Sequence, residues 1–404
     1  MKPLAPPPTR IVSMLTNLSF QISFGIVSAI LIVVFIISAY VYNPLVGANL
    51  DVTEYPVRIA VVLEDTPADE AGLLVDDRVL EIDGRAVPPW GNAPIYRAGI
   101  RPGETITFEI LRGDQSLTIP VSAGRLLTQP LEIVLNIALI VLPVGFWLIG
   151  VLMVLFAAEK ALPARLFGFH WMITGLSLAA AIFGRAGYFW GANTTFLVCW
   201  SLLIFTNIAV HLLFPAPLFS GKWQNRIMNA LAIVAVGLAF LSVLSDWFFF
   251  PRAWVAGVLA YEAFLPLGFT LAWLIPLGFF LSFLIGVGLL VANHVRFRRT
   301  QPGLSQQTRL VIVGMVLAIL PLFLLTFIPY LITGVPLLNQ NLGFLFFLLI
   351  PLAYAYALFQ KKLIRIDLMI NRSVVWFLLV LSILGASSLL ILFLTRLFSI
   401  PEAA

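Results

Sequence analysis

The sequence VVLEDTPADEAGLLVDDRVLEIDGRAV, residues 61–87, is rich in charged residues, whereas the chain is otherwise largely apolar. Its first residues, VVL, predict a short strand, and VLEI followed by DG predicts a second strand that ends in a tight turn. Between the strands, Pro67 suits the first turn of a helix because its φ angle is fixed. Asp69 and Glu70 are favourable near the positive end of the helix dipole, and Gly72 ends the helix. The stretch therefore predicts a folded module of strand, turn, short helix and strand.

This order resembles the PDZ domain of bacterial envelope proteases and sensors, in which a PxxxAGL turn leads to a GDxIxxIxG strand. The matching residues are Pro67, Ala71, Gly72, Leu73, Asp77, Val79, Ile82 and Gly84, and Asp76 stands where the strand motif has its first glycine. The resemblance covers residues 46–125. It implies a peptide groove with a loop whose backbone N–H groups hold a peptide C-terminus.

The resemblance places this groove between a first strand and a flanking helix within residues 92–100. The candidate binding residues are Val46, Gly47, Ala48, Asn49 and Leu50 on the loop and strand, and Ile95, Tyr96 and Arg97 on the helix. Because the first strand is short, the sequence leaves four alternatives for the groove. It binds a peptide C-terminus, an internal peptide segment or the surface of a partner protein, or it binds nothing.

Composition identifies the rest of the chain as an integral membrane protein. Apolar residues make up 61% and charged residues 11% of the sequence, whereas soluble domains have about 25% charged residues. The net charge of +5 is therefore no indication of nucleic acid binding. Cys199 is the single cysteine, so no internal disulfide can form.

Nine apolar segments approach the length of about 20 residues that a helix needs to cross the hydrocarbon core. They are residues 20–42, 131–156, 166–188, 194–213, 227–249, 265–291, 310–332, 342–358 and 374–397. The predicted fold class is a polytopic α-helical membrane protein of about nine spans, with one small α+β PDZ-like domain inserted between spans 1 and 2. The predicted divisions are a cytoplasmic tail (1–19), an uncleaved anchor (20–42), the PDZ-like domain (46–125), an eight-span helical domain (131–398) and a C-terminal tail (399–404).

The distribution of cationic side chains predicts the orientation. Fourteen of the 24 Lys and Arg residues lie on the side of the N-terminus, three lie in the short segments of the opposite side, and seven lie in the PDZ-like region. Since cytoplasmic loops carry an excess of Lys and Arg, we expect a cytoplasmic N-terminus and an extracytoplasmic PDZ-like domain. The expected location is the bacterial cytoplasmic (inner) membrane.

Enzymatic chemistry has no support in the sequence. An intramembrane zinc protease needs an HExxH motif, and the only histidines, His170, His211 and His294, lie near the predicted cytoplasmic ends of separate helices. Histidines solvated at these helix ends explain the positions without a metal. The serine pair Ser387 and Ser388 lies deep in the last span, too far from any histidine for a serine protease. We therefore expect no catalytic residue, no metal and no cofactor.

One basic stretch, residues 356–379, predicts a connector at the inner membrane surface. Its residues Lys361, Lys362, Arg365, Asp367, Asn371 and Arg372 alternate with apolar ones, although an ordinary positive-inside loop explains them equally. Together with AVHLLFPAP at residues 209–217, the stretch resembles the multi-span N-terminal input region of bacterial sensor histidine kinases. The kinase part, with its phospho-accepting His and ATP lid, does not follow in this sequence. Output is therefore expected through further sequence or through a partner.

These observations lead to three functional hypotheses. The first is a membrane sensor or adaptor that recognises an extracytoplasmic peptide or protein through the PDZ-like domain and relays this through the bundle to a cytoplasmic output protein. The second is a structural or assembly subunit of a membrane complex, and the third is a transporter, since prolines interrupt several spans. The expected partners are the peptide or protein, the lipid bilayer and the output protein or complex; nucleic acid is not expected.

Overall fold

The computed structural model describes residues 10–42, 44–51, 56–87, 103–125, 130–156, 162–184, 191–219, 221–244, 258–333 and 337–360. The chain divides into two compact units. One consists of Leu31–Ile140 with Leu178–Phe196, and the other of Met1–Ile30, Val141–Ser177 and Leu197–Ala404. The first unit carries the β-strands and the second carries most of the long helices.

The strands of the first unit form one antiparallel sheet and one separate pair. The elements are β1 Pro44–Leu45, β2 Ala48–Asp51, β3 Arg58–Val62, α3 Pro67–Glu70, β4 Arg78–Ile82, β5 Arg85–Ala86, β6 Thr105–Arg112, β7 Gln115–Ser122 and β8 Gly124–Arg125. The sheet has the order β2, β3, β4, β6, β7, with β5 paired to β4, and β1 pairs with β8. The predicted order of strand, turn, short helix and strand is thereby confirmed in β3, α3 and β4.

The core of the sheet follows from the two-residue period of a strand. In β6, Ile106, Phe108 and Ile110 are buried while the residues between them are partly exposed. These side chains belong to one buried cluster with Ile59 of β3 and with Leu73, which follows the helix. Because burial of each such side chain contributes about 1.5–3 kcal/mol, the alternation fixes which face of the sheet points inward.

Asp76 occupies the place where the PDZ motif has glycine, and its backbone shows why. Its φ angle is +70°, in the left-handed region that side chains other than glycine rarely adopt. Aspartate is among the residues that tolerate this region because its short side chain bonds locally. Asp76 also contacts Arg58 at 3.2 Å, an exposed ion pair that contributes little.

Asp77 is the buried anchor of the loop between α3 and β4. Its carboxylate is 2% exposed and accepts hydrogen bonds from Nε and Nη2 of Arg112, each at 2.7 Å, and from the Leu74 N–H at 2.8 Å. The same guanidinium donates to the Gly72 carbonyl at 2.8 Å. Burial acts to raise the pKa of Asp77, but the hydrogen bonds and charge of Arg112 and the Leu74 N–H outweigh it, so the pKa lies below its usual value. The pair therefore ties the loop to the end of β6.

The second unit and its flanks are helical. The helices are α1 Arg10–Leu15, α2 Leu18–Tyr42, α4 Pro130–Phe156, α5 Leu162–Ala179, α6 Ala192–Leu213, α7 Gly221–Leu244, α8 Val258–Thr300, α9 Pro302–Leu322, α10 Ile328–Thr333, α11 Gln340–Phe344 and α12 Leu349–Gln360. Two π-helical turns, Ala180–Gly184 and Phe323–Phe327, continue α5 and α9, and a 3₁₀ turn, Leu345–Leu348, joins α11 to α12.

Seven helices in the described part of the chain are long and apolar enough to cross a membrane. They are Leu18–Ala39, Ile137–Phe156, Leu162–Gly184, Ala192–Leu213, Lys222–Leu244, Leu274–Thr300 and Pro302–Ile332, and Leu342–Leu358 is a shorter apolar helix. These eight correspond to the first eight predicted spans. The ninth, residues 374–397, lies outside the described residues, so the total of about nine spans stays a prediction.

The π-helical turn between α9 and α10 has a local cause. Pro329 has no N–H to donate to the carbonyl of Leu325. That carbonyl instead accepts a hydrogen bond from the Leu338 N–H at 2.9 Å, while the Thr326 hydroxyl donates to the Leu338 carbonyl at 2.9 Å. The segment before α11 therefore supplies the partners that the interrupted helix lacks.

The Asp77–Arg112 pair generates a prediction about domain stability. Asp77→Asn removes the buried charge that the partly exposed Arg112 guanidinium contacts and replaces one of its two acceptor oxygens with a donor, so the sheet should lose about 2 kcal/mol. Because the pKa of Asp77 is lower in the folded state, the stabilisation is present above its ordinary pKa and is lost as the pH falls through the folded value. Amide hydrogen exchange of β4 and β6 in the full-length protein measures the loss.

Asp76→Asn is the matched control for this change. It alters the neighbouring carboxylate in an exposed pair, and asparagine tolerates the left-handed backbone. Exchange should shift by less than about 0.5 kcal/mol. Equal effects of the two substitutions would show that Asp77 is not the anchor.

Candidate peptide-binding site

The loop before β2 is fixed by backbone hydrogen bonds to the segment that leads into α3. The Val46 carbonyl accepts a bond from the Ala68 N–H, and the Gly47 carbonyl accepts one from the Leu63 N–H, both at 2.8 Å. Gly47 has a φ angle of +85°, and a Cβ atom there would collide with Oγ1 of Thr66. Only glycine fits this position, because both the conformation and the space exclude a side chain.

The N–H groups of this loop differ from its carbonyl groups in their hydrogen bonding. Within the described residues, neither the Val46 N–H nor the Gly47 N–H has a hydrogen-bond acceptor. Backbone polar groups in a folded protein are almost always paired, and successive N–H groups in such a turn are a common anion-binding arrangement. The loop is thus suited to receive a carboxylate or a peptide carbonyl.

The strand that follows the loop lies at one end of the sheet. β2 pairs with β3, with Ala48 opposite Val62, and a β-bulge separates Asn49 from Leu50. In the sheet order, β2 is the terminal strand. Within the described residues β2 has a neighbouring strand on one side only, and a strand in this position can accept a further strand along its outer edge. The site is therefore a backbone edge that continues from the loop.

The structure describes some of the predicted site residues and not others. The side chains of Val46 and Ala48 are buried in the core and Leu50 packs against it, so these residues offer backbone groups rather than side chains. The helix residues Ile95, Tyr96 and Arg97 lie outside the described residues, as do the connector residues Lys361, Lys362, Arg365, Asp367, Asn371 and Arg372.

A short pairing of the two domain ends adjoins the loop and was not predicted from the sequence. Pro44 pairs with Arg125 and Leu45 with Gly124, so β1 and β8 meet directly before Val46. We call this β1–β8 pair the clasp. One residue separates α2 from β1, and four separate β8 from α4. The binding loop is therefore adjacent in sequence to the point where both connections to the helices meet.

The histidines differ from the sequence interpretation. His170 and His211 are buried, not solvated. Both ring nitrogens of His211 are engaged, Nδ1 by the Asn207 carbonyl and Nε2 by the Tyr354 hydroxyl, each at 2.6 Å. The described residues contain no group of three or more His, Cys, Asp or Glu side chains that could hold a metal ion.

Comparison with known proteins agrees with the geometry of the sheet. The PDZ domain family matches residues 44–122. This segment is a PDZ domain. Sixty-eight residues are 34% identical to a probable periplasmic serine endoprotease DegP-like of Ectopseudomonas mendocina (strain ymp), covering 17% of this chain and 14% of that protein. The same values describe the relative from Pseudomonas fulva (strain 12-X), and the relative from Pseudomonas putida strain F1 is 32% identical over 75 residues, covering 19% of this chain and 16% of its own.

The predicted PDZ domain is thus confirmed, and the sensor-kinase resemblance of the helical part stays a prediction. The chain covers less than a fifth of the length of each of these relatives. The shared segment is the PDZ domain, which carries no catalytic group of a protease, so the similarity assigns no proteolytic activity to this chain.

The loop geometry predicts that Gly47→Ala destabilises β2 and β3 more than an alanine with a left-handed φ angle does by itself. An alanine in the left-handed region costs about 1–2 kcal/mol, and at Gly47 its Cβ atom would also collide with Thr66. Gly113→Ala is the control, because Gly113 has a φ angle of +61° and open space around its Cβ position. Hydrogen exchange of β2 and β3 should show a larger loss for Gly47→Ala; equal losses would mean that the loop shifts freely.

Proposed function

We propose that this protein is a membrane sensor or adaptor whose PDZ domain binds an extracytoplasmic peptide or protein segment and whose helical bundle relays the binding event. The observation that carries the proposal is the terminal position of β2 directly after the Val46 and Gly47 N–H groups, which have no acceptor within the described residues. An added peptide strand gains main-chain hydrogen bonds along β2, and its terminal carboxylate gains these two donors.

The seven candidate spans support a membrane location for the protein. The excess of Lys and Arg on the side of the N-terminus supports an extracytoplasmic PDZ domain. In this arrangement the domain follows helix α2 after one residue and precedes helix α4 after four. A connection of four residues reaches at most about 14 Å, so the ligand binds close to the membrane surface.

The clasp supports a route from the ligand to the helices. A ligand that orders the loop at Val46 also orders Leu45, which pairs with Gly124. By linkage, if loop order favours the closed clasp, then closure of the clasp raises ligand affinity by the same factor. In the proposed relay, α2 and α4 carry this difference inward, and the predicted connector of residues 361–372 passes it to a cytoplasmic output protein.

Peptide binding tests the proposal. A library of decapeptides with free C-termini is screened against the full-length protein in lipid nanodiscs, and each hit is resynthesised with a C-terminal amide. Since hydrogen bonds to a charged group contribute about 1.5–3 kcal/mol, amidation should raise the Kd at least about tenfold. Hits that bind equally as acid and amide would show that β2 accepts internal segments, and a library without hits would overturn peptide recognition.

Cysteine labelling tests the orientation. In a Cys199→Ala background, a membrane-impermeant maleimide applied to intact cells should label Leu74→Cys, because Leu74 lies on the PDZ domain and is 52% exposed. Lys222→Cys, at the exposed start of α7, should react only after the cells are opened. The reverse pattern would place the PDZ domain in the cytoplasm.

Exposed apolar side chains on the domain favour an assembly subunit as the second candidate function. Val61, Leu63, Leu74 and Val75 are 42–53% exposed, and apolar surface of this kind is often covered by a permanent partner. Purification in mild detergent separates the two functions. A partner present at fixed stoichiometry in every preparation favours the subunit, whereas weak, peptide-dependent association favours the sensor.

A further inference from the structure

The helix α12 carries the largest fully buried side chain in the described part of the chain. Tyr354 is 1% exposed and lies in the middle of Leu349–Gln360. Its ring is surrounded by Phe167 at 4.4 Å, Phe214 at 5.6 Å and Trp171 at 5.9 Å between ring centroids. A phenol in such an apolar cage needs a partner for its hydroxyl group.

His211 of α6 provides that partner, and its tautomer follows from its contacts. Nδ1 lies 2.6 Å from the Asn207 carbonyl, which can only accept, so Nδ1 carries the proton. Nε2 of the neutral ring is then an acceptor, and the Tyr354 hydroxyl donates to it at 2.6 Å. Without this hydroxyl, a buried ring nitrogen of His211 loses the one donor that the described residues supply to it, which is costly in an apolar surrounding.

The imidazole ring is held from a second side by α8. A Cβ atom at Gly286 would lie 2.9 Å from Nδ1 of His211, so the ring has no room to turn away in that direction. Asn207 also donates to the Ser282 hydroxyl of α8 at 3.4 Å. The acceptor for Tyr354 is therefore fixed in place by α6 and α8 together.

A 3₁₀ turn precedes the helix that carries Tyr354, and the helix after this turn lies in close contact with α9. Leu345–Leu348 is a 3₁₀ turn, and Pro351 has no N–H to donate to the Phe347 carbonyl. A 3₁₀ stretch inside a longer helical run often marks a hinge. On α9, a Cβ atom at Gly314 would lie 2.5 Å from the Cβ atom of Ala353, so α12 rests directly on the α9 backbone.

We propose that Tyr354 and His211 form a latch that holds α12 against α6, and that α12 is the element of the helical part that moves about the 3₁₀ turn when the protein changes state. The second half of this inference rests on the proposed sensor or adaptor function, because α12 ends at Gln360, directly before the predicted connector. The hydrogen bond, the aromatic cage and the 3₁₀ turn are independent of that function.

A single-cysteine experiment in proteoliposomes, without any peptide, tests the latch. Ala357 of α12 is 0% exposed, and Ala357→Cys in a Cys199→Ala background reports access to the buried face of the helix. Tyr354→Phe should raise the rate of maleimide labelling at this position at least about fivefold, since a buried group left without its hydrogen-bond partner shifts an equilibrium by about 5- to 150-fold. An unchanged rate would contradict the latch.

The matched control is Tyr330→Phe. It removes the same hydroxyl group from a side chain of α10 that is 57% exposed, and should leave the labelling rate within about twofold. The native Cys199 of α6, which is 4% exposed, is labelled in a parallel series without the introduced cysteine. An equal increase there in Tyr354→Phe would overturn the proposal, because the hydroxyl would then hold the whole bundle rather than α12.

A second variant opens the latch without removing the hydroxyl. Gly314→Ala pushes α12 away from α9 and should also raise labelling at Ala357→Cys, whereas Gly288→Ala of α8, whose Cβ position has nothing within 4 Å, should not. If Tyr354→Phe does not fold, Gly314→Ala decides the proposal alone. All labelling measurements use protein without a peptide, so the two proposals fail independently. If no peptide binds, the proposed function is refuted but the latch is not. If labelling is unchanged, the latch is refuted but peptide recognition is not.

Discussion

A backbone polar group that is withdrawn from water needs a partner, and this requirement explains the irregular positions of the molecule. Pro329 deprives the Leu325 carbonyl of its helical donor, and the Leu338 N–H replaces it. Pro351 does the same to Phe347, and there the helix tightens into a 3₁₀ turn. In the PDZ domain, the Val46 and Gly47 carbonyls are satisfied internally, whereas their N–H groups have no acceptor within the described residues. The same requirement thus accounts for a loop fixed through its carbonyls, for a 3₁₀ turn and for the two N–H groups on which the proposed peptide site rests.

The sequence predicted those parts of the fold that depend on neighbouring residues. The order of β3, α3 and β4 was readable because Pro67, Gly72 and Gly84 mark the turns between short apolar runs. The exception at Asp76 was also informative, since a left-handed backbone explains why other PDZ sequences have glycine there. The apolar runs of the helical part were equally direct, because hydrocarbon demands about 20 apolar residues per span.

Features that depend on distant pairs were not predictable. The clasp joins Leu45 to Gly124 through strands of only two residues, which leave no periodic pattern. The partners of His211 lie on the same helix and 143 residues away, so its position near a predicted helix end indicated solvation instead of burial. Of the candidate site, the loop and strand at residues 46–50 were predicted from the resemblance to PDZ domains, and their role in binding stays a prediction. The connector and the flanking helix lie outside the described residues.

Coupling between the PDZ domain and the helices depends on whether ligand binding distinguishes two states of the chain. A ligand that contacted only exposed side chains of the sheet would bind both states equally and shift nothing. The loop at Val46 and Gly47 is different, because it follows Leu45 of the clasp without an intervening residue. A ligand held by these two N–H groups therefore favours the loop geometry that the closed clasp imposes, and the clasp draws the ends of α2 and α4 together through connections of one and four residues. Such short connections transmit displacement, whereas long flexible ones would absorb it. In the proposed function, the relay through the helices therefore depends on recognition by the backbone at this edge rather than by side chains elsewhere on the domain.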